Sequence, residues 1–148
     1  QRSVRVVRVV DAPLESVFRA FTHPTQVVRW WGPAGIETSE AEIDLVVGGR
    51  CRWVMHPEGT TAVLHGTITA LEPPNLLVMT NQWEGNPNES LVTFRFGAVE
   101  GGNRTRIEIF HERLPEDVPT EAYDDGWAAA LDSLETYVAT QRRAHDGN

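Results

Sequence analysis

The chain has 148 residues, with 21 acidic against 13 basic side chains and a formal net charge of −8. That length fits one domain, residues 1–148, burying about 70% of its unfolded surface, so a core can form without disulfides or a structural metal. The negative field repels phosphate backbones and argues against nucleic-acid binding. All 13 basic residues are arginine; with no lysine, Schiff-base, P-loop and lysine general-base chemistry are excluded.

Cys51 is the single cysteine. No internal disulfide can form, which suits a reducing cytoplasm, and a lone thiol on a strand packs as a small hydrophobe. No apolar run approaches about 18 residues, so no membrane span is expected. The first residues pass directly into strand-like sequence, so no signal peptide is expected. The expectation is a cytoplasmic protein.

Val4 to Val10 is valine-rich and reads as a strand. Asp11-Ala12-Pro13 then opens a helix, with Pro13 suited to the first helical position. Leu14, Val17, Phe18 and Phe21 form its apolar stripe. Pro24 opens a shorter helix carrying Val27, Val28 and Trp31, and Gly32-Pro33 stops it. From about Glu37 to His111 strands alternate with turns. The turn signals fall at Gly48-Gly49, Pro57-Glu58-Gly59, Pro73-Pro74-Asn75, Gly85 to Asn88 and Gly101-Gly102-Asn103. A spacing of about ten residues implies antiparallel hairpins.

Pro119 opens the last helix, which the pattern extends to Gln141 and leaves frayed over 144–148. Tyr123, Trp127, Ala130, Leu131, Leu134 and Val138 share one face; Asp124, Asp125, Asp132 and Glu135 point away from it. Arg142 and Arg143 suit the negative end of the helix dipole. A meander with one apolar face must be covered, and this helix is the long cover available. The fold class is therefore α+β: a curved antiparallel sheet around a long C-terminal helix, with two short helices after the first strand. Space between such a sheet and helix is where small ligands bind.

Several segments recur together in one family: Asp11-Ala12-Pro13, Arg29-Trp30-Trp31-Gly32-Pro33, Glu42-Ile43-Asp44, Gly48-Gly49, Pro73-Pro74 before Leu76, and Gly126-Trp127. The chain resembles the START-like (SRPBCC, helix-grip) superfamily, and within it the bacterial homologues of the heat-shock chaperone ATPase activator. Val46-Val47 depart from the pattern, which usually has a basic residue and a proline there. The resemblance implies a cavity between sheet and C-terminal helix. It leaves the chemistry open, because the superfamily spans lipid and hormone binders, polyketide cyclases and chaperone activators. The eukaryotic activator has an additional N-terminal domain that contacts the chaperone; the segments matched here belong to the START-like unit.

Strand alternation places Cys51, Trp53 and Met55 on one face; Leu77, Met79, Asn81 and Trp83 on another; then Val92, Phe94 and Phe96; then Ile107, Ile109 and His111. With Trp31, Tyr123, Trp127 and Leu131 these predict an aromatic, methionine-bearing wall with polar points at His65, Asn81, His111 and Tyr123. Each tryptophan also reads as plain core packing. Gly126 inside a helix reads either as close helix-on-sheet packing or as a soft point. His111, Tyr123 and His65 are the acid–base candidates for a cyclase or hydratase, His111 first because it continues an inward alternation. His56, His65, His111, Glu58 and Glu112 have no metal-ligand spacing, and no serine elbow or dinucleotide fingerprint occurs. No metal or cofactor is expected. The leading expectation is a binder of a small apolar or amphipathic ligand; an enzyme using the same cavity and a chaperone-activator-like interaction module are the alternatives. Symmetric homodimerisation is compatible with a domain of this kind.

Overall fold

A computed structural model describes residues 2–32 and 36–146, with side chains omitted for Glu100 and 142–146. Among the described residues seven strands form one antiparallel sheet: β1 (Ser3–Val10), β2 (Glu37–Ile43), β3 (Arg50–His56), β4 (Ala62–Glu72), β5 (Leu76–Trp83), β6 (Glu89–Val99) and β7 (Arg104–Glu112). Their order across the sheet is β1-β7-β6-β5-β4-β3-β2. From β2 to β7 this is a plain meander, with a turn at each place the glycine, proline and asparagine signals predict.

β1 and β2 are consecutive in the chain yet lie at opposite edges of the sheet. The segment between them must therefore cross the whole sheet. It does so as two helices, α1 (Leu14–Thr22) and α2 (Pro24–Trp30). α1 buries Val17, Phe18 and Phe21, and the Phe21 ring meets Phe94 and Phe96 of β6 at 5.4 and 5.0 Å. Of the expected Val27, Val28 and Trp31, α2 buries Val27, with Trp30 beside it; Val28 is half-buried, and Trp31, also buried, lies past the helix end. Its helix ends at Trp30; Trp31 is already extended (φ −63°, ψ 135°). That one-residue difference turns the Trp31 ring onto Trp53 of β3, stacked at 5.1 Å.

The last helix, α3 (Thr120–Asp146), lies over the sheet. It runs past the expected end at Gln141; Arg142 to Asp146 continue the helical backbone, consistent with good helix formers and basic residues at its C-terminal end. Residues 147–148 of the tail lie outside the described part. Leu131, Leu134 and Val138 are buried in the same core cluster as Phe94, Ile107, Ile109 and Leu77. Two arginines at or next to β1 help set the helix in place. Arg8 of β1 bonds Asp132 at 2.9 Å and also reaches Glu135. Arg2 donates to the carbonyls of Pro115 and Val118, fixing the linker that leads into α3.

Strand alternation inside the sheet follows the expectation for β3, β5, β6 and β7. It corrects one residue on β4. There Leu64, Gly66 and Ile68 face inward and His65 faces out. His65 sits opposite Arg52 and meets Glu84 at 3.1 Å in an exposed pair. Gly66 is glycine for a steric reason: a Cβ there would stand 2.3 Å from the Thr80 carbonyl oxygen.

Candidate functional site

Between the concave face of the sheet and the first half of α3 lies a cleft of about 250 Å³. The sheet contributes Met55, Leu64, Asn81, Trp83, Ser90 and His111; the α2–β2 segment contributes Trp31 and Ile36; α3 contributes Ala122, Tyr123, Gly126, Trp127 and Ala130. On a helix, positions 122, 126 and 130 follow one another at successive i, i+4 steps and share one stripe. Large residues there would fill the space, and all three are alanine or glycine. Gly126 is the clearest case. A Cβ built on it meets nothing within 4 Å, so its lack of a side chain is not required by close packing against the sheet.

The tryptophans divide by role. Trp30 is core and donates from Nε1 to the Ala20 carbonyl at 2.9 Å. Trp53 is fully buried behind Trp31, and its Nε1 has no hydrogen-bond partner among the described residues. Trp31 and Trp127 meet edge to face at 5.9 Å and form the aromatic walls. Trp83 stands at the rim, 40% exposed.

At the inner end a short polar relay crosses three elements. Trp127 Nε1–H donates to His111 Nδ1 at 3.1 Å. Indole is a donor only, so Nδ1 must be the unprotonated nitrogen and the neutral ring carries its hydrogen on Nε2. Nε2–H then donates to Ser90 Oγ at 2.7 Å, and the Ser90 hydroxyl turns to the Asn81 carbonyl at 3.4 Å. Burial pushes the His111 pKa from its usual 6.5 down to about 4, which agrees with the donor count: an imidazolium would set one N–H against another. Tyr123 meets the His111 ring edge-on at 5.3 Å, and burial followed by nearby Asp117 raises its phenol above the ordinary range. Neither group is a ready base at neutral pH. Burial also raises Cys51 to about 11 and keeps its thiol protonated.

Of the residues expected to line the site, Trp31, Met55, Asn81, Trp83, His111, Tyr123 and Trp127 come together in the cleft. Trp53, Met79, Phe94, Phe96, Ile109 and Leu131 instead fill the core beside it, each almost wholly buried. His65 is on the opposite face of the sheet and takes no part. Sequence reasoning missed Ser90, Leu64, Ile36, Ala122 and Ala130 as lining residues. Ser90 was within reach, since it continues the inward alternation of Val92, Phe94 and Phe96 by one step. The two alanines were within reach as well, one turn either side of Gly126.

A curved antiparallel sheet gripping a long C-terminal helix over an apolar cleft defines the helix-grip class of START-like proteins. Residues 11–139 match the family described as Activator of Hsp90 ATPase homolog 1-like protein, and the chain belongs to that family. It is similar to protein CV1439 from Chromobacterium violaceum, with 25% identity over 92% of this chain and 96% of that one and a TM-score of 0.82. It is similar in fold to the AHSA1 protein SPO3351 from Silicibacter pomeroyi, with 24% identity over 95% and 99% of the two chains and a TM-score of 0.81. CalU16 from Micromonospora echinospora shares 29% identity over 97% of this chain and 80% of its own, with a TM-score of 0.68. No curated protein matches the chain. No helix among the described residues is long and apolar enough to cross a membrane.

Proposed function

We propose that this chain binds a small, largely apolar ligand in the cleft between the sheet and α3. Gly126 carries the reading. A glycine inside a helix costs about 1 kcal/mol against alanine, and here no neighbouring atom forbids the methyl group. Its effect is to keep one wall of the cleft open, between Ala122 and Ala130 on the same stripe. A fold kept for stability alone would gain from closing that space.

The volume sets the size of the ligand. An engineered apolar cavity of about 150 Å³ holds benzene, so about 250 Å³ suits one or two rings or a short branched chain. The tautomer lock on His111 and the raised Tyr123 phenol favour binding over acid–base catalysis. The test is calorimetric titration with naphthalene, comparing the native chain with Gly126→Leu. The native chain binds, and the leucine, placed in the ligand's space, weakens binding by about tenfold or more. Equal binding by both proteins would move the ligand elsewhere and end this reading.

A further inference from the structure

We propose that the ligand of this cleft is uncharged and carries a hydroxyl group, which Asn81 receives. The inference rests on the ligand-binding reading above and adds the chemical class of what is bound.

The first support is the absence of any charge on the lining. None of the described residues around the cleft is Asp, Glu or Arg. Its one histidine is held neutral, because Trp127 N–H occupies Nδ1 and Nε2–H is directed at Ser90. A carboxylate or an ammonium drawn into this space would lose its water without meeting an opposite charge, which is strongly unfavourable. The overall charge of −8 adds to the barrier against anions.

The second support is Asn81. Its residue is only 8% exposed, it lines the cleft, and its Oδ1 has no hydrogen-bond partner among the described residues. A buried acceptor left unsatisfied is destabilising, and native proteins rarely retain one without a use. The amide torsion of asparagine is broad and roughly two-fold, so the side chain can present either Oδ1 or Nδ2 to the cleft without any backbone movement. The amide also offers N–H donors on Nδ2. A hydroxyl, donor and acceptor in one small group, complements whichever of the two it meets. The two buried polar side chains beside it do not compete for it. His111 has both ring nitrogens engaged, and Ser90 already receives one bond and gives another. Asn81 is thus a buried open polar point on a lining whose other asparagine and tyrosine side chains, Asn86, Asn88 and Tyr123, stand nearer solvent.

Three probes of one ring size separate the terms at neutral pH: naphthalene, 2-naphthol and 2-naphthoate. Calorimetric titration of the native chain should give 2-naphthol binding about tenfold tighter than naphthalene, with 2-naphthoate weakest. In Asn81→Leu, close in shape and without the amide, naphthalene should bind at least as well as before. The advantage of 2-naphthol over naphthalene should shrink to about twofold or less. Retained naphthalene binding also shows that the variant is folded. Equal binding of naphthol and naphthalene by the native chain overturns the hydroxyl assignment while leaving the apolar cleft standing. Tightest binding by naphthoate overturns the assignment of an uncharged ligand, and so would a naphthol advantage that survives in Asn81→Leu for the role of Asn81. Failure of all three probes to bind removes the cleft reading itself and this inference with it. The native order alone decides on charge and hydroxyl should Asn81→Leu fail to fold.

Discussion

The indole N–H of Trp127 is aimed at Nδ1 of His111 across 3.1 Å, joining α3 to β7 through a nitrogen that must stay unprotonated. His111 is 5% exposed and faces Ser90, Tyr123 and Trp127, none of them a charge at neutral pH. The bond thus makes one contact of the helix with the sheet sensitive to acid.

Folding stability should fall as pH drops from about 6.5 to about 4. His111 holds its proton with a pKa of about 4 in the native chain against 6.5 when exposed. Between those values the unfolded chain binds the proton and the native chain does not, so acid favours unfolding. Above 6.5 neither form is protonated and the contribution is constant; below 4 both are, and no more is lost. The full difference is about 3 kcal/mol. Urea midpoints at pH 7.5 and 4.5 for the native chain and His111→Phe measure it. The variant should lose markedly less on acidification; matching slopes would show that His111 is not held neutral.

Gly126→Ala should stabilise the protein by about 1 kcal/mol, the difference in helix propensity, because the new methyl enters open space. Thermal or urea unfolding reads this directly. Destabilisation would mean that the α3 wall is more tightly covered than the backbone geometry gives. The same methyl should weaken ligand binding, though less than leucine at this position.

Leu131→Trp should destabilise by about 1–3 kcal/mol through overpacking. The sequence alone placed Leu131 on a face that could border the cavity, where a larger side chain would be tolerated. In the fold it is 0% exposed, next in sequence to Ala130 of the cleft wall but itself packed among core residues. A urea midpoint unchanged from that of the native chain would put open space beneath Leu131.

Much of the site could be read in advance because strand alternation is a strict period. Once Ile107 and Ile109 are inward, His111 must be, and Asn81 follows Leu77 and Met79 in the same way. The period failed for His65 because it was assigned without its strand. Leu64 and Ile68 set the inward face of β4, and His65 falls between them. Size was the other gap. Trp53, Phe94, Phe96 and Leu131 have the same inward direction as the lining residues, and direction alone cannot say which of them packs and which faces empty space.

The sequence by itself determined the element order, the meander with its turns, the apolar face of α3 and the acidic balance. These depend on local dihedral preferences and on periods of 2 and 3.6 residues, which are written residue by residue. Only the tertiary structure decided where the cleft lies and what kind of polar point it holds. Open volume is what remains after every neighbour has been placed. The tautomer of His111 likewise depends on an indole sixteen residues away in the chain being within 3.1 Å. Neither is a property of any one segment, so neither could be read before the helix was laid on the sheet.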